Sequence, residues 1–175
     1  MPKIIRVAQR YPAYHPKAGQ PTHFVDKICG SLAYIGYGLL SFPSSLLSDD
    51  WYRYNAKRHT IRAGHRWNAG EMASIRVWSD KPYRSPTIEL AVVQLIKVIP
   101  IEISESGGVT IAGQFYGHMH QLGSLASNDG LTPRDLADWF HKLPFSGQIL
   151  VWDDSYLPYG DPPQTKPAVA ASNYS

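Results

Sequence analysis

Apolar positions in this chain alternate or cluster over short stretches, and none keeps a helical period for long. Residues 2–9 alternate in the manner of a first strand, and a loop rich in Pro, Gly and His follows from Tyr11 to Pro21. Thr22 is placed to cap a helix that carries Phe24, Ile28 and Leu32 at four-residue spacing. Residues 36–47 mix Gly, Pro and Ser and read as irregular packing or a lid, and Asp49, Asp50 and Trp51 open a short helix. Gly70 marks a turn before a strand over 72–78. Residues 87–103 are rich in β-branched side chains and form the clearest strand region, with Pro100 marking an edge or a bulge. Residues 109–115 predict one further short strand. Thr132-Pro133-Arg134-Asp135 has a capping hydroxyl, a first-turn proline and an acid three residues on, and so starts a helix with Leu136, Trp139 and Phe140 on one face. Gly147 ends the next connection and 148–152 is the last strand. Short strands broken by helices predict an α+β fold built on a small barrel. A single domain over 1–152 is expected, with a mobile Pro-, Ala- and Ser-rich tail over 153–175.

Composition narrows the class. The 175 residues are 43% hydrophobic, enough for a proper core and unlike a disordered chain. The apolar run from Cys29 to Phe42 is short and broken by Gly30, Gly36 and Gly38, so no membrane span or membrane partner is expected. The chain starts with a strand-like segment rather than a charged-then-apolar signal, which reads as cytoplasmic. One cysteine, Cys29, excludes an internal disulfide framework and a cysteine-rich zinc site, and its apolar setting suits a buried, inert thiol.

Charge changes the picture more. Residues 53–84 hold eight basic residues (Arg53, Lys57, Arg58, Arg62, Arg66, Arg76, Lys81, Arg84) against Glu71 and Asp80, while the remaining nine basic and twelve acidic residues leave the rest net negative. Trp67, Trp78 and Tyr83 sit inside this positive segment. Guanidinium groups mixed with aromatic faces suit a base-containing, phosphate-bearing ligand, although tryptophans are also ordinary core residues. The densest part is Lys57-Arg58-His59-Thr60-Ile61-Arg62. If it is extended, Arg58, Thr60 and Arg62 share one face and Lys57, His59 and Ile61 the other. If it turns, Lys57 meets Thr60, and an amine beside a hydroxyl is one way to activate a threonine nucleophile. The plain alternative is a solvated basic loop.

Lys57-x-x-Thr60-Ile61-Arg62, the following Arg66-Trp67-x-x-Gly70, and Asn128-Asp129-Gly130-Leu131-Thr132 before a helix together resemble the ASCH family. His15-Pro16-Lys17-Ala18-Gly19 and the stretch Arg76-Val77-Trp78-Ser79-Asp80-Lys81-Pro82-Tyr83 are similar to ASCH-like proteins of bacterial and phage genomes. The resemblance covers residues 1–152 and implies a small β-barrel related to the PUA RNA-binding domain. It also implies an amidohydrolase that deacylates N4-acetylcytidine with a lysine, a threonine and an acid. These fall on Lys57, Thr60 and Asp129, the last one methylene shorter than the family's glutamate. Thr60 would attack the acyl carbon, Lys57 would accept its proton, and Asp129 would orient the amine or assist the leaving nitrogen. Arg58, Arg62, Arg66, Trp67, Trp78, Tyr83 and Arg84 would bind the substrate. The alternatives are that Asp129 only supports its turn, and that the site binds single-stranded RNA or a modified nucleotide without chemistry.

Two other patterns carry less. His118 and His120 would share a face if extended, but no third ligand stands at a recognisable spacing, so no metal is expected. No glycine-rich phosphate loop follows a strand, so no cofactor is expected either. His141 fits a favourable interaction at a helix end.

Overall fold

A computed structural model describes residues 1–38 and 41–155. The expected tail from 156 onward, and two positions of the expected lid, lie outside the described residues. Among the described residues the fold is α+β, with two sheets and three α-helices. Strands β1 (Lys3–Arg6), β3 (Met72–Trp78) and β4 (Thr87–Gln94) form the first sheet in the order β1-β3-β4, with β1 parallel to β3 and β3 antiparallel to β4. The second sheet is antiparallel throughout, in the order β2 (His59–Ala63), β8 (Phe145–Val151), β5 (Lys97–Ile103), β6 (Gly108–Ile111) and β7 (Gln114–His118).

The strand-rich run over 87–103 is two strands rather than one. The chain leaves the first sheet at Leu95, whose N–H donates to Glu71 O, and enters the second at Ile96, whose N–H donates to Val151 O. A strand that changes sheets in this way makes a corner. On the other side the sheets do not meet in a ladder: β1 and β2 are both edges, so among the described residues the strands close no barrel. Pro100 sits where the β5–β6 ladder ends, since that pairing begins at Ile101. The single strand expected over 109–115 is a hairpin. It turns at Ala112 and Gly113, both at positive φ (50° and 81°), and Ala-Gly carries a weaker turn signal than Asn-Gly.

Helix α1 (Phe24–Tyr34) buries Phe24, Val25, Ile28, Cys29 and Leu32. Thr22 does not occupy the cap position, which falls on His23 at φ 57°, but its hydroxyl accepts from Phe24 N and donates to Ala8 O. Helix α3 (Pro133–Trp139) starts as the pattern predicts, with Thr132 Oγ1 accepting from Asp135 N. Helix α2 (Gly123–Asn128) has no counterpart in the sequence reading. It is six residues long and ends in a Schellman turn, in which Leu131 N donates to Ala126 O and Gly130 N to Ser127 O. The core runs from Ile5, Ile75 and Leu90 in the first sheet to Ile101, Ile149 and Leu150 in the second, closed by Leu125 and Leu136. The described residues contain no helix long and apolar enough to cross a membrane.

Gly147 of β8 faces β2 at a point where no side chain fits. A Cβ there would overlap the carbonyl oxygen of Arg62 and stand 2.8 Å from the Phe145 ring. Gly147→Ala should therefore lower stability in urea unfolding by about 1–3 kcal/mol, the usual cost of overpacking. Gly123→Ala, at the start of α2 with open space around it, should be neutral or slightly stabilising. An unchanged midpoint for Gly147→Ala would mean that β2 and β8 are not this closely joined.

Candidate functional site

Between the two edge strands lies a cavity of about 820 Å³. Its walls come from Ile4–Arg6 of β1, the segment 7–13 after it, residues 60–62 of β2, and the loop from Trp78 to Tyr83, with Trp139 and Phe140 on a further side. Lys57, Thr60 and Asp129 all line it.

The backbone explains how Lys57 arrives there. It precedes β2, its N–H donates to Lys27 O, and the next residue, Arg58, donates its N–H to Asn128 O. The chain is thus strapped to α1 and to the end of α2 before the strand begins. Asp129 is the C-cap of α2, and Gly130 follows at φ 82°, where only glycine is unstrained. A Cβ at Gly130 would crowd Lys57 Cβ and the Phe24 ring, each at 3.3 Å. The Lys57 ammonium donates to the Asp129 carbonyl at 2.6 Å and to its carboxylate Oδ1 at 2.7 Å, and lies 4.3 Å from the centroid of the Phe24 ring. Asp129 therefore does more than support its turn.

Both members of this pair are buried, Lys57 at 1% exposure and Asp129 at 7%. Burial pushes the Lys57 amine below the usual lysine value, with the Asp129 charge opposing it. Burial likewise raises the Asp129 carboxyl, with Lys57 opposing. The two groups are thereby drawn towards each other in acidity, which narrows the gap between the ion pair and its proton-transferred form. Lys27 stands close by and donates to the carbonyls of Thr22 and Gly130. Its amine is lowered to about 8, by burial first and by the Lys57 charge second. His59 is fully buried with Nε2 3.9 Å from Asp129 Oδ1, and burial holds it well below the ordinary histidine value, so it is a neutral imidazole.

Thr60, Ile61 and Arg62 of β2 all line the cavity, while His59 does not. Thr60 is buried, at 5% exposure. Arg66, Trp67, Trp78 and Tyr83 also line the cavity. Trp67 is a buried core residue as well, whereas Tyr83 is 89% exposed at the rim and takes φ 64°, an uncommon conformation for an aromatic residue. The Trp78 and Tyr83 rings lie 5.3 Å apart.

Two expected substrate-binding residues lie elsewhere. Arg58 points away to Asp153, with Nε 3.4 Å from its carboxylate, and to Asn128 Oδ1 at 3.1 Å, because Asp153 is buried and requires a cation. Arg84 is exposed in a turn and does not line the cavity. Conversely, Phe24, Arg6 and Arg10 line it without having been singled out by the sequence. They are remote in the chain, and no local spacing marks them. His118 and His120 stack with ring centroids 6.0 Å apart, and among the described residues no group of three His, Cys, Asp or Glu side chains stands together as a metal site.

No family model, curated protein or solved structure matches the chain.

The buried pair gives a direct test. Lys57→Met alone strands a buried carboxylate and should cost about 3–5 kcal/mol in stability, whereas Lys57→Met with Asp129→Leu should recover most of that loss. Urea unfolding of the two single variants and the double variant measures the coupling. Additive losses would show that the two groups do not depend on each other.

Proposed function

We propose that this cavity hydrolyses the amide of an acylated nucleobase, with N4-acetylcytidine the substrate that the ASCH resemblance implies. The observation that carries this reading is the buried Lys57–Asp129 pair lining the same cavity as Thr60. Threonine is a poor nucleophile unless its proton leaves as it attacks. Lys57 accepts that proton once its own rests on Asp129, an exchange that burial makes inexpensive. The Thr60 oxygen then bonds to the acyl carbon, and the carbon–nitrogen bond breaks. The exocyclic amine departs with the proton held by Lys57. Water hydrolyses the resulting ester, releasing the carboxylic acid and restoring the hydroxyl. Arg62 is the cation nearest along the strand for the developing oxyanion, about 7 Å from Thr60 by strand rise. Trp78 and Tyr83 offer the base a stacking surface at the rim.

The two sheets, joined at the β4–β5 corner and parted between β1 and β2, are read here as a PUA-like barrel opened along one seam. The cavity's volume lies within the range of small-ligand sites, about 300–1,000 Å³. A second reading, binding of single-stranded RNA without chemistry, is favoured by exposed Lys81, Tyr83 and Arg84 beside the opening. RNA bound there should weaken with rising salt by a slope of about −0.7 per neutralised phosphate, whereas a neutral nucleoside should show almost none.

Acid release from a panel of acylated nucleosides is the decisive assay. Thr60→Ala should lower kcat/KM by about 10³-fold or more, because the nucleophile and its base act as a unit. Unchanged hydrolysis in that variant sinks the mechanism, and RNA affinity with no turnover on any substrate favours the second reading. The pH profile carries its own sign. The active form holds Lys57 neutral, so activity should fall as pH drops through a limb centred below the ordinary lysine value. Asp129→Asn removes the group on which the Lys57 proton rests, so it should lower kcat/KM by about 10²-fold or more. A rate that stays constant across that pH range would rule out Lys57 as the base.

A further inference from the structure

The lining of the cavity holds five cations, Arg6, Arg10, Lys57, Arg62 and Arg66, against two carboxylates, Asp80 and Asp129. Asp129 is paired with Lys57, and its charge also acts on Arg62. Among the described residues, none of the four cavity arginines has a carboxylate within ion-pair distance. Outside the cavity, Arg58 pairs with Asp153, Arg76 with Glu89 and Arg134 with Asp138, whereas Arg53 and Arg84 are exposed to solvent.

The four guanidinium groups are nonetheless held in place. The Arg6 guanidinium lies 5.3 Å from the Trp78 ring centroid, and that of Arg66 5.7 Å from the Trp67 ring. Arg10 donates to Gly19 O at 2.9 Å, and Arg62 donates to Arg6 O, linking β2 to β1 across the seam. Aromatic faces and backbone carbonyls orient these side chains without neutralising them. These ring contacts use none of the N–H donors of Arg6 and Arg66, which are left for another acceptor. Grouped cations without counter-charges are unfavourable, and a bound anion relieves that cost. Arginine donors match a phosphate in pairs.

We propose that these arginines form a phosphate subsite, so that the substrate is an acylated nucleoside monophosphate rather than the free nucleoside. The identity of the base end rests on the amide-hydrolysis reading above, while the phosphate subsite stands on the arginines alone. A monophosphate is favoured over an RNA chain because the four arginines line one bounded cavity.

Calorimetric titration with the product-like ligands CMP and cytidine, and with a short oligocytidylate, tests this without requiring catalysis. The wild-type protein should bind CMP at least about tenfold more tightly than cytidine, a difference of about 1.4 kcal/mol. Arg10→Gln and Arg66→Gln, both changes at exposed positions, should each bring that ratio down towards one, with circular dichroism confirming the fold. Thr60→Ala should keep the wild-type ratio. Equal affinities for CMP and cytidine, or no binding of either, overturn the phosphate subsite, and acid release from acylated nucleosides then judges the amide reading separately. Tighter binding of the oligocytidylate than of CMP overturns the monophosphate assignment in favour of a polymer. A CMP preference in a protein that hydrolyses none of the acylated substrates upholds the subsite and removes the amide reading alone.

Discussion

Much of this molecule depends on placing an ammonium and a carboxylate together out of water. Transfer of either charge alone into the interior costs several kcal/mol even after relaxation, so neither Lys57 nor Asp129 has a tolerable position without the other. Their partnership explains features that look unrelated along the chain. The short helix α2 has to end where its C-cap acid reaches Lys57, Gly130 has to turn with positive φ and no side chain, and the backbone before β2 has to be tied to both α1 and α2. The Phe24 ring shields one side of the ammonium, and Lys27 spans the carbonyls of Thr22 and Gly130 alongside it. Elements separated by about seventy residues of sequence thus converge on one ion pair.

The second constraint is the seam. A β-sheet edge left unpaired exposes backbone donors and acceptors, and proteins cover or occupy such edges. Here the edges of two sheets face a common cavity, and side chains rather than a ladder bridge them. Arg62 reaches the carbonyl of Arg6, and Lys3 reaches the carbonyl of Arg66 and the carboxylate of Glu71. Extended backbone on both walls sets the spacing of the groups along the cavity, with Ile4 to Arg6 on one side and Thr60 to Arg62 on the other.

Local signals made some of this legible in the sequence, and non-local packing hid the rest. The α3 start could be read because capping is a contact within four residues, and β3 because its buried positions recur within one strand. The hairpin of β6 and β7 was missed because Ala112 adopts a turn conformation that its side chain does not advertise. Helix α2 was missed because six residues carry too little period to recognise. Lys57, Thr60 and Asp129 could be singled out by motif resemblance, and the structure places all three on one cavity. The destination of Arg58 could not be read, because it is set by Asp153, which is ninety-five positions away. Arg6 and Arg10 were equally silent, since nothing near them in sequence shows which cavity they will face.

The positive segment over 53–84 illustrates the difference between a charge count and a field. Counted along the chain, its eight basic residues suggest one docking surface. In the fold they separate by partner. Arg58 and Arg76 are held by acids, and Lys57 is half of a buried pair. Arg62 and Arg66 turn into the cavity and meet Arg6 and Arg10 arriving from the first strand. A cation beside its own carboxylate projects little field, whereas grouped guanidinium ions on low-dielectric walls focus field lines and raise the local concentration of anions. The positive potential is therefore concentrated by pairing elsewhere as much as by the arginines present, and it is aimed at the compartment that contains Thr60. Recognition of an anion then falls to the arginines, because Lys57, whose charge is already answered by Asp129, is left to move protons rather than to hold phosphate.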